Sequence, residues 1–341
     1  MGFFKRKAAP VSLHPIAGFW QWWVSEGSGR FSAAVTSGQW GELPNEMSAQ
    51  VAAVHPGLAW DTGRGRAARS LLTVSSEGDP ALRRIAEQWL RAAPAADKSW
   101  EFAAARQPNS GAVDNIIEIG GHSLHLGDVR FRITEDVDRE LLDIAVHHPL
   151  FADMPEQGPL QVSFLLLDWI LGEDGVERWV GAVDIADVGE TATATAADLT
   201  ASVKAMAAQS QPDRWALLEG ATRDGKRSIV TARRPLRWID YPIFDLHTEV
   251  WLASRDQRDD GLPTSGSLDL LRDIEDDISA ALGFRGILVA HETAAGRRVL
   301  HYYSDSEDQN GRDALETAAH KAGGSTKHAS DPGWKRVRHF S

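Results

Sequence analysis

The sequence has no cysteine in its 341 residues, which excludes disulfide bonds, thiolate nucleophiles and metal sites held by cysteine. It also has no run of about 18 apolar residues, the length that a transmembrane helix needs. The longest apolar stretch, residues 162–171, is interrupted by Asp168. Positive charge is scarce, because 36 Lys and Arg residues stand against 48 Asp and Glu residues, a formal net charge of −12. Nucleic acid is therefore not expected as a partner of the whole chain.

The N-terminal residues carry a basic cluster, Lys5-Arg6-Lys7, but lack the apolar segment that a secretory signal requires. Pro10 and Pro15 interrupt the residues that follow. We therefore expect residues 1–15 to be a flexible basic N-terminus. The same absence of targeting and membrane-spanning segments predicts a cytoplasmic protein that does not associate with membranes.

Aromatic side chains are abundant, and the 13 tryptophans include the cluster Phe19-Trp20-Gln21-Trp22-Trp23. On a helix these rings would cover more than one face, so the segment must be buried on most sides or must pack against a partner. Core packing is the simpler interpretation, and an exposed docking patch is the alternative. Hydrophobic residues make up 43% of the chain and charged residues 25%, typical of a folded globular protein of about two domains.

The pattern over residues 16–188 predicts a tryptophan-rich α+β domain. Apolar spacing predicts a helix over residues 39–55, and Asp79-Pro80 is typical of the first turn of another. Residues 160–171 are almost entirely apolar, which predicts a central helix covered on both sides. Strands are expected at residues 71–75, 100–106, 129–134, 141–146 and 178–185. Residues 189–212 lose this periodicity and are predicted to form a linker or a weak helix.

The pattern over residues 213–341 predicts a second domain. A hairpin at residues 215–232 precedes a strand at 244–252, a helix capped by Ser267 and ended by Gly283, and two strands at 287–291 and 298–303. A helix at 312–321 and a last strand at 334–340 complete the order β-α-β-β-α-β, which is the ferredoxin-like plan. The predicted fold class is therefore α+β, with two α/β-sandwich domains of which the C-terminal one is ferredoxin-like.

No familiar catalytic or metal-binding motif is present. His122 and His125 would lie on opposite faces of a strand, and no metal-binding helix motif accompanies them or His147 and His148. There is no phosphate-binding loop and no nucleophile elbow. We therefore predict no catalytic residues, no metal and no cofactor. An enzyme of unrecognised, hydrolase-like acid–base type is kept as an alternative. It would use side chains such as Asp305, His291 and His301, with the two histidines near each other on paired strands.

The C-terminal part resembles a bacterial family of unassigned role, domain of unknown function 695. The resemblance is carried in order by Asp224-Gly225-Lys226, Arg233-Arg234-Pro235, residues 238–242, the acidic helix around residues 271–276, residues 287–293, residues 298–303 and Asp331-Pro332-Gly333-Trp334. The tryptophan-rich opening is similar to the leading domain of longer members. The family implies a ferredoxin-like fold similar to that of a small inhibitor of bacterial ribonuclease E, and hence protein binding rather than catalysis. It assigns no catalytic residues.

These observations favour a non-catalytic, cytoplasmic protein-binding or regulatory module whose partner is another protein. Aromatic and arginine side chains dominate binding hot spots. The predicted binding residues are Arg233, Arg234, Trp238, Tyr241, Tyr302, Tyr303 and Trp334. An RNA-contacting regulator is the other alternative, which requires Arg233 and Arg234 to align with Lys335, Arg336 and Arg338. Core packing is expected for Trp334 and for only one of Tyr302 and Tyr303, because neighbours on a strand point to opposite faces. The oligomeric state is left open.

Overall fold

A computed structural model describes residues 14–109, 111, 114–119, 121–186 and 192–341, without the side chains of Ile117, Ile119 and His122. The predicted flexible N-terminus lies outside the described residues as far as residue 13. The fold class is mixed α+β, as predicted. By the density of their internal contacts, the residues divide into two units, Met1–Ala105 and Arg106–Ser341. The predicted domain boundaries, near residues 188 and 213, lie within the second unit and stay a prediction.

The first unit packs helices against a small sheet of order β1-β2-β3. Asp79 caps α4 by accepting a hydrogen bond from the Ala81 amide, as its position before Pro80 predicts. A π-helical turn, Trp23–Gly27, joins α1 to α2. The helices are α1 (Pro15–Trp22), α2 (Ser28–Ser37), α3 (Leu43–Val54) and α4 (Pro80–Arg91), and the strands are β1 (Ala59–Arg64), β2 (Ser70–Ser75) and β3 (Trp100–Ala103).

The aromatic cluster is the core of this unit. Phe19, Trp20 and Trp23 are buried, and the Trp20 ring stacks on Trp89 with centroids 4.6 Å apart. The Trp20 indole N–H donates to the Trp89 carbonyl at 2.8 Å. Each ring therefore has a packing partner, and Trp20 also satisfies its polar atom inside the core. The core interpretation of the cluster is confirmed for these three side chains.

The second unit begins with a hairpin and a mixed three-stranded sheet, of order β6-β7-β8. Its first strands are β4 (Ile116–Ile119), β5 (His122–His125), β6 (Arg130–Asp136), β7 (Leu141–His147) and β8 (Val180–Ile185), and its first helices are α5 (Gly158–Leu171), α6 (Glu173–Trp179) and α7 (Ala196–Gln209). Helix α7 lies in the stretch predicted as a linker or weak helix. It begins with a capping box between Thr195 and Asp198 and buries Leu199 and Met206.

The apolar helix α5 is not covered on both sides. Val162, Leu166 and Leu167 are buried against the sheet, but Leu160 and Phe164 are 41% and 46% exposed. The prediction of a fully covered helix was therefore wrong. Because apolar residues also occupy the side that faces solvent, the sequence does not show which side of the helix is buried. In the part of the chain that the structure describes, no helix combines the length and the apolar character needed to cross a membrane.

The rest of the second unit is a six-stranded antiparallel sheet with two helices. The strand order is β14-β11-β13-β12-β10-β9. The strands are β9 (Arg214–Ala221), β10 (Arg227–Arg234), β11 (Leu246–Ala253), β12 (Gly286–Ala294), β13 (Arg297–Ser304) and β14 (Ser325–Ser330), and the helices are α8 (Ser265–Leu282) and α9 (Gln309–Lys321). Helix α8 ends at Gly283, which has a positive φ of 55° and is therefore a suitable stop signal.

Both faces of this sheet are covered, so Tyr302 and Tyr303 are both in the core. Tyr302 packs among residues of α8 and α9, and its hydroxyl lies 3.0 Å from the Ser279 hydroxyl. Tyr303, on the opposite face, packs on Trp334 of the C-terminal segment, residues 331–341. The expectation that only one of the two tyrosines would be buried was wrong, because it assumed a sheet with one exposed face.

The last strand is β14, and the prediction of a last strand at residues 334–340 was wrong. Residues of β14 are polar and at most half-buried, typical of an edge strand, so the sequence carries little strand signal there. In the C-terminal segment the buried residues Trp334, Val337 and Phe340 recur every third position. That spacing fits the tight turns and short 3₁₀ helix that form there and not the alternation of a strand.

Candidate functional site

The predicted binding residues separate into buried and accessible groups. Tyr302, Tyr303 and Trp334 are at most 4% exposed and Trp238 is 9% exposed. Trp334 donates its indole N–H to the Phe244 carbonyl at 2.9 Å, and Tyr241 stacks on its ring with centroids 5.7 Å apart. Most of these aromatic rings therefore hold the unit together, and a partner could contact only the edges of Tyr241 and Trp238.

Arg233 and Arg234 lie on opposite faces of β10. Arg233 pairs in register with Trp215 on β9, its guanidinium lies over the Trp215 ring, and it forms an ion pair with Asp213. Arg234 pairs in register with Arg214 and lines a cavity with Arg338. The adjacent arginines therefore do not form one continuous basic surface, which removes a condition of the RNA alternative.

The cavity that Arg234 lines has a volume of about 660 Å³ and brings together side chains distant in the sequence. Trp238 and Trp334 also line it, so three of the predicted binding residues meet here. Its charged side chains are one carboxylate and five arginines, namely Glu177, Arg139, Arg178, Arg234, Arg237 and Arg338. Arg139 and Arg178 were not predicted, because they come from elements far from residue 234 in the chain.

Most of these arginines already have carboxylate partners. Arg178 pairs with Asp240 at 2.7 Å, Arg237 with Glu140 at 3.3 Å and Arg139 with Asp136 at 3.7 Å. Among the described residues, no carboxylate lies within ion-pair distance of the half-buried Arg234. Burial and the nearby charges of Arg214 and Arg139 lower the pKa of Arg234, whereas the charge of Asp138 acts in the opposite direction. An anion in the cavity would relieve both effects.

The one carboxylate side chain of the cavity, Glu177, is itself held by the aromatic lining. It accepts a hydrogen bond from the Trp238 indole N–H. Burial raises the pKa of Glu177, whereas that hydrogen bond and the charge of Arg338 act in the opposite direction. Glu177 is therefore already engaged by the Trp238 indole and lies in the field of Arg338.

A second cluster lies on the sheet face that carries Tyr303. In the register of β11 and β13, His247 is opposite Tyr303 and Glu249 is opposite His301. Nε2 of His247 lies 3.0 Å from Nδ1 of His301, and Nε2 of His301 lies 2.9 Å from a Glu292 carboxylate oxygen. His247, Glu249 and His301 form the histidine–glutamate cluster, in which one ligand atom per residue lies within 4.8 Å of the others.

The two histidine rings are buried, at 1% and 5% exposure for His247 and His301. Burial, and next to it the neighbouring His301, lowers the pKa of His247 to about 4, so this ring is neutral at pH 7. The hydrogen bond from His301 lowers the pKa of Glu292, which is therefore ionised. A carboxylate thus orients the His301 ring, and its other nitrogen faces His247.

The expected proximity of His291 to His301 was wrong. His291 pairs in register with Leu300, so it shares the helix-covered face, where its Nδ1 lies 3.0 Å from Glu275 of α8. His301 points to the other face, toward His247. Asp305, the carboxylate of the same hypothesis, binds the Glu307 amide in the turn after β13. His247 was missed because the register that pairs β11 with β13 is not readable from the sequence.

His148 is a structural histidine. It is 2% exposed, its Nδ1 accepts a hydrogen bond from the Leu150 amide at 3.1 Å, and its Nε2 lies 3.2 Å from the His125 carbonyl. A carbonyl can only accept, so Nε2 carries the proton and the ring is neutral. Protonation of Nδ1 would remove the acceptor for Leu150.

The burial of His148 predicts a loss of stability in acid. Burial lowers the pKa of His148, so the unfolded chain takes up a proton near pH 6.5 before the folded chain does. The stabilisation is complete above that pH and is lost as the pH falls toward the folded pKa. The free energy of unfolding, measured with urea at pH 7, 6 and 5, should fall more steeply with decreasing pH for the unmodified protein than for His148→Asn. Parallel declines would contradict the assignment.

The geometry thus defines an α+β protein whose second unit holds an arginine-lined cavity and a buried histidine–glutamate cluster. Within that unit, residues 213–340 match a Family of unknown function (DUF695), which confirms the resemblance of the C-terminal part. The cluster and part of the cavity lining fall inside these residues, whereas Arg139, Glu177 and Arg178 fall outside them. No curated protein and no solved structure matches the chain.

Proposed function

We propose that this protein is a non-catalytic, cytoplasmic binding module that receives an acidic segment of a partner protein in the arginine-lined cavity. The observation that carries the proposal is the half-buried guanidinium of Arg234, which has no carboxylate partner among the described residues. Arginine binds carboxylates in a planar, bidentate manner, and a partly desolvated arginine strengthens that bond. The accessible edge of Trp238 supplies an apolar contact for the rest of the segment.

The cavity distinguishes an acidic peptide from other partners by its charge and its lining. Arg338, at the exposed side of the cavity, extends the positive field toward solvent and would attract an acidic chain as it approaches. The RNA alternative keeps only part of its proposed surface, because Arg233 is paired with Asp213. The enzyme alternative, which named Asp305, His291 and His301, loses support because His291 and His301 lie on opposite faces of the sheet and the His301 ring is buried.

Arg234→Gln should weaken binding of an acidic peptide by about 10–100-fold, the loss expected for one charge-assisted hydrogen-bonded pair. Fluorescent peptides rich in Asp and Glu, and counterparts with Asn and Gln in their place, would be titrated by anisotropy at two salt concentrations. Arg227→Gln is the matched control, since Arg227 is exposed and pairs with Glu219 outside the cavity. Binding that is equal for acidic and neutral peptides would refute the proposal.

Two further arms of the experiment separate other occupants. Citrate and inorganic phosphate would be tested as competitors, and a single-stranded RNA would be tested as a ligand. If the cavity binds citrate or phosphate but no acidic peptide, its ligand is a small anion and not a segment of a partner protein. Binding of RNA that Arg234→Gln abolishes would move the function to RNA contact.

We further propose that residues 246–330 form a ferredoxin-like domain to which β9 and β10 add a hairpin at one edge. Support comes from the chain order β11-α8-β12-β13-α9-β14 and from the spatial order β14-β11-β13-β12. In this arrangement each helix connects two strands that are not neighbours, and both helices cover one face. The opposite face is then free to carry the C-terminal segment and the histidine–glutamate cluster.

A further inference from the structure

The histidine–glutamate cluster has the composition and the convergence of a transition-metal site. Two imidazole nitrogens and a carboxylate oxygen, from His247, His301 and Glu249, come within 4.8 Å of one another. Neutral imidazole and carboxylate are ligands that divalent zinc and its first-row neighbours prefer. All three side chains come from two paired strands, which fix their positions through the backbone register.

The surroundings of His301 match those of a metal-bound histidine. Its Nε2 lies 2.9 Å from the Glu292 carboxylate, so that nitrogen donates and Nδ1 keeps a free lone pair directed at His247. Metal-binding histidines usually donate their second ring N–H to a carboxylate, which fixes the ring and makes it a stronger ligand. The Phe340 ring, edge-on at 5.4 Å, and the Tyr303 ring beside His247 enclose the pair.

We propose that His247 Nε2, His301 Nδ1 and the Glu249 carboxylate bind one divalent transition-metal ion of the zinc type, with Glu292 as the positioning residue for His301. In this arrangement the ion takes the place of the proton that the two imidazoles share. Three protein ligands leave a fourth coordination position, which a water molecule or another small ligand would fill.

Glu249 is the adjustable ligand and marks the entry side. Ligand atoms of a tetrahedral zinc site are about 3.3 Å apart, closer than the 4.8 Å that bounds the cluster. Glu249 is half-buried, and its carboxylate accepts a hydrogen bond from the Trp251 indole N–H at 3.1 Å. A rotation of this side chain would close the site. Lys327 on β14 lies opposite Glu249 in the register of the sheet.

Metal binding by the full chain without a histidine tag tests the proposal. After treatment with a chelator, Zn²⁺ would be titrated by calorimetry, and Co²⁺ would be added to read the coordination geometry from its visible spectrum. We expect one Zn²⁺ per chain and a tetrahedral cobalt spectrum, with Mg²⁺ failing to compete. His301→Gln should lower the affinity at least 100-fold, and Glu292→Gln should lower it by about 10–100-fold.

Two variants keep the test decisive if loss of a buried histidine disturbs folding. Glu249→Gln changes a half-buried side chain and should lower zinc affinity while circular dichroism stays unchanged. His320→Gln removes an exposed histidine of α9 and should leave zinc binding as it was. The absence of stoichiometric Zn²⁺ binding, or equal binding by Glu249→Gln, His301→Gln and the unmodified chain, would overturn the proposal. Neither result would affect the proposed role of Arg234.

Discussion

Replacing Asp331 with alanine should lower the free energy of unfolding of the second unit by about 3–4 kcal/mol. The Asp331 carboxylate is buried and accepts three hydrogen bonds, from the Tyr303 hydroxyl at 2.6 Å and from the amides of Lys335 and Arg336 at 3.0 and 2.8 Å. It thereby ties the C-terminal segment to the middle of the sheet. Without it, a buried hydroxyl and two backbone N–H groups lose their acceptor together.

The Tyr303→Phe variant is the matched control for this prediction. It removes the hydroxyl but keeps the ring that stacks on Trp334 with centroids 4.4 Å apart. It leaves the two amide hydrogen bonds of Asp331 intact, so the loss should be about 1–2 kcal/mol. Urea unfolding would measure both variants, and hydrogen exchange would follow peptides from residues 297–304 and 331–341. Equal losses would mean that the turn amides contribute nothing.

The turn at residues 331–334 illustrates what local sequence can and cannot predict. Asp331-Pro332-Gly333-Trp334 predicts a rigid turn with its tryptophan in the core, and both features are present. The positive φ, however, belongs to Trp334, at 49°, and not to Gly333, where glycine was expected to use it. The hydrogen bonds of Asp331 to the backbone and the burial of the Trp334 ring determine the turn, and glycine preference does not.

Two helix ends were predictable because their signals are local, whereas the start of α8 was misplaced, since Ser267, its predicted cap, lies inside the helix. Asp79-Pro80 begins α4, and Gly283 follows the last residue of α8. Strand β14 was missed, since its polar residues contribute no apolar alternation. The pairing of His247 with His301 depends on strands that are 54 residues apart and on a register that only the folded sheet defines. A polar residue at every second position of a buried strand, as at 247 and 249, was the available signal.

The cavity shows the same limit for charge. The basic character of Arg233-Arg234 and of residues 335–338 was visible in the sequence, but the faces they occupy were not. The pairing of Arg233 with Asp213 leaves Arg234 as the binding candidate. Arg139, Arg178 and Glu177 join it through contacts that connect residues outside 213–340 with those inside. Such contacts have no local signature, because each arginine alone is typical of a solvated surface.

Replacing Glu140 with alanine should lower the free energy of unfolding by about 3–5 kcal/mol, because it leaves the buried guanidinium of Arg237 without the carboxylate that it pairs with. The two side chains are only 8% and 11% exposed. Arg237 donates to the Glu140 carbonyl at 3.1 Å and to its carboxylate at 3.3 Å, and its guanidinium lies 4.1 Å from the centroid of the Trp179 ring. Ser210 also donates to the carboxylate, at 2.5 Å.

A double-mutant cycle separates the pair from its surroundings. Burial lowers the pKa of Arg237, whereas the charges of Asp240 and Glu140 act in the opposite direction. Removing both partners should therefore cost less than the sum of the two single losses, by about 2 kcal/mol or more. The exposed pair Arg227–Glu219 serves as the comparison, where Glu219→Ala should cost less than about 1 kcal/mol.

Urea unfolding at neutral pH measures all variants of this cycle. Strictly additive losses for Glu140→Ala and Arg237→Ala would mean that the pair is not coupled and that Arg237 is held by the Glu140 carbonyl and the Trp179 ring. If the losses are not additive, and if the Glu219→Ala control still binds acidic peptides, we infer that the Glu140–Arg237 pair supports the cavity wall. In that case Glu140 keeps Arg237 in its place beside Arg234, and the unpaired charge of Arg234 stays available to a ligand.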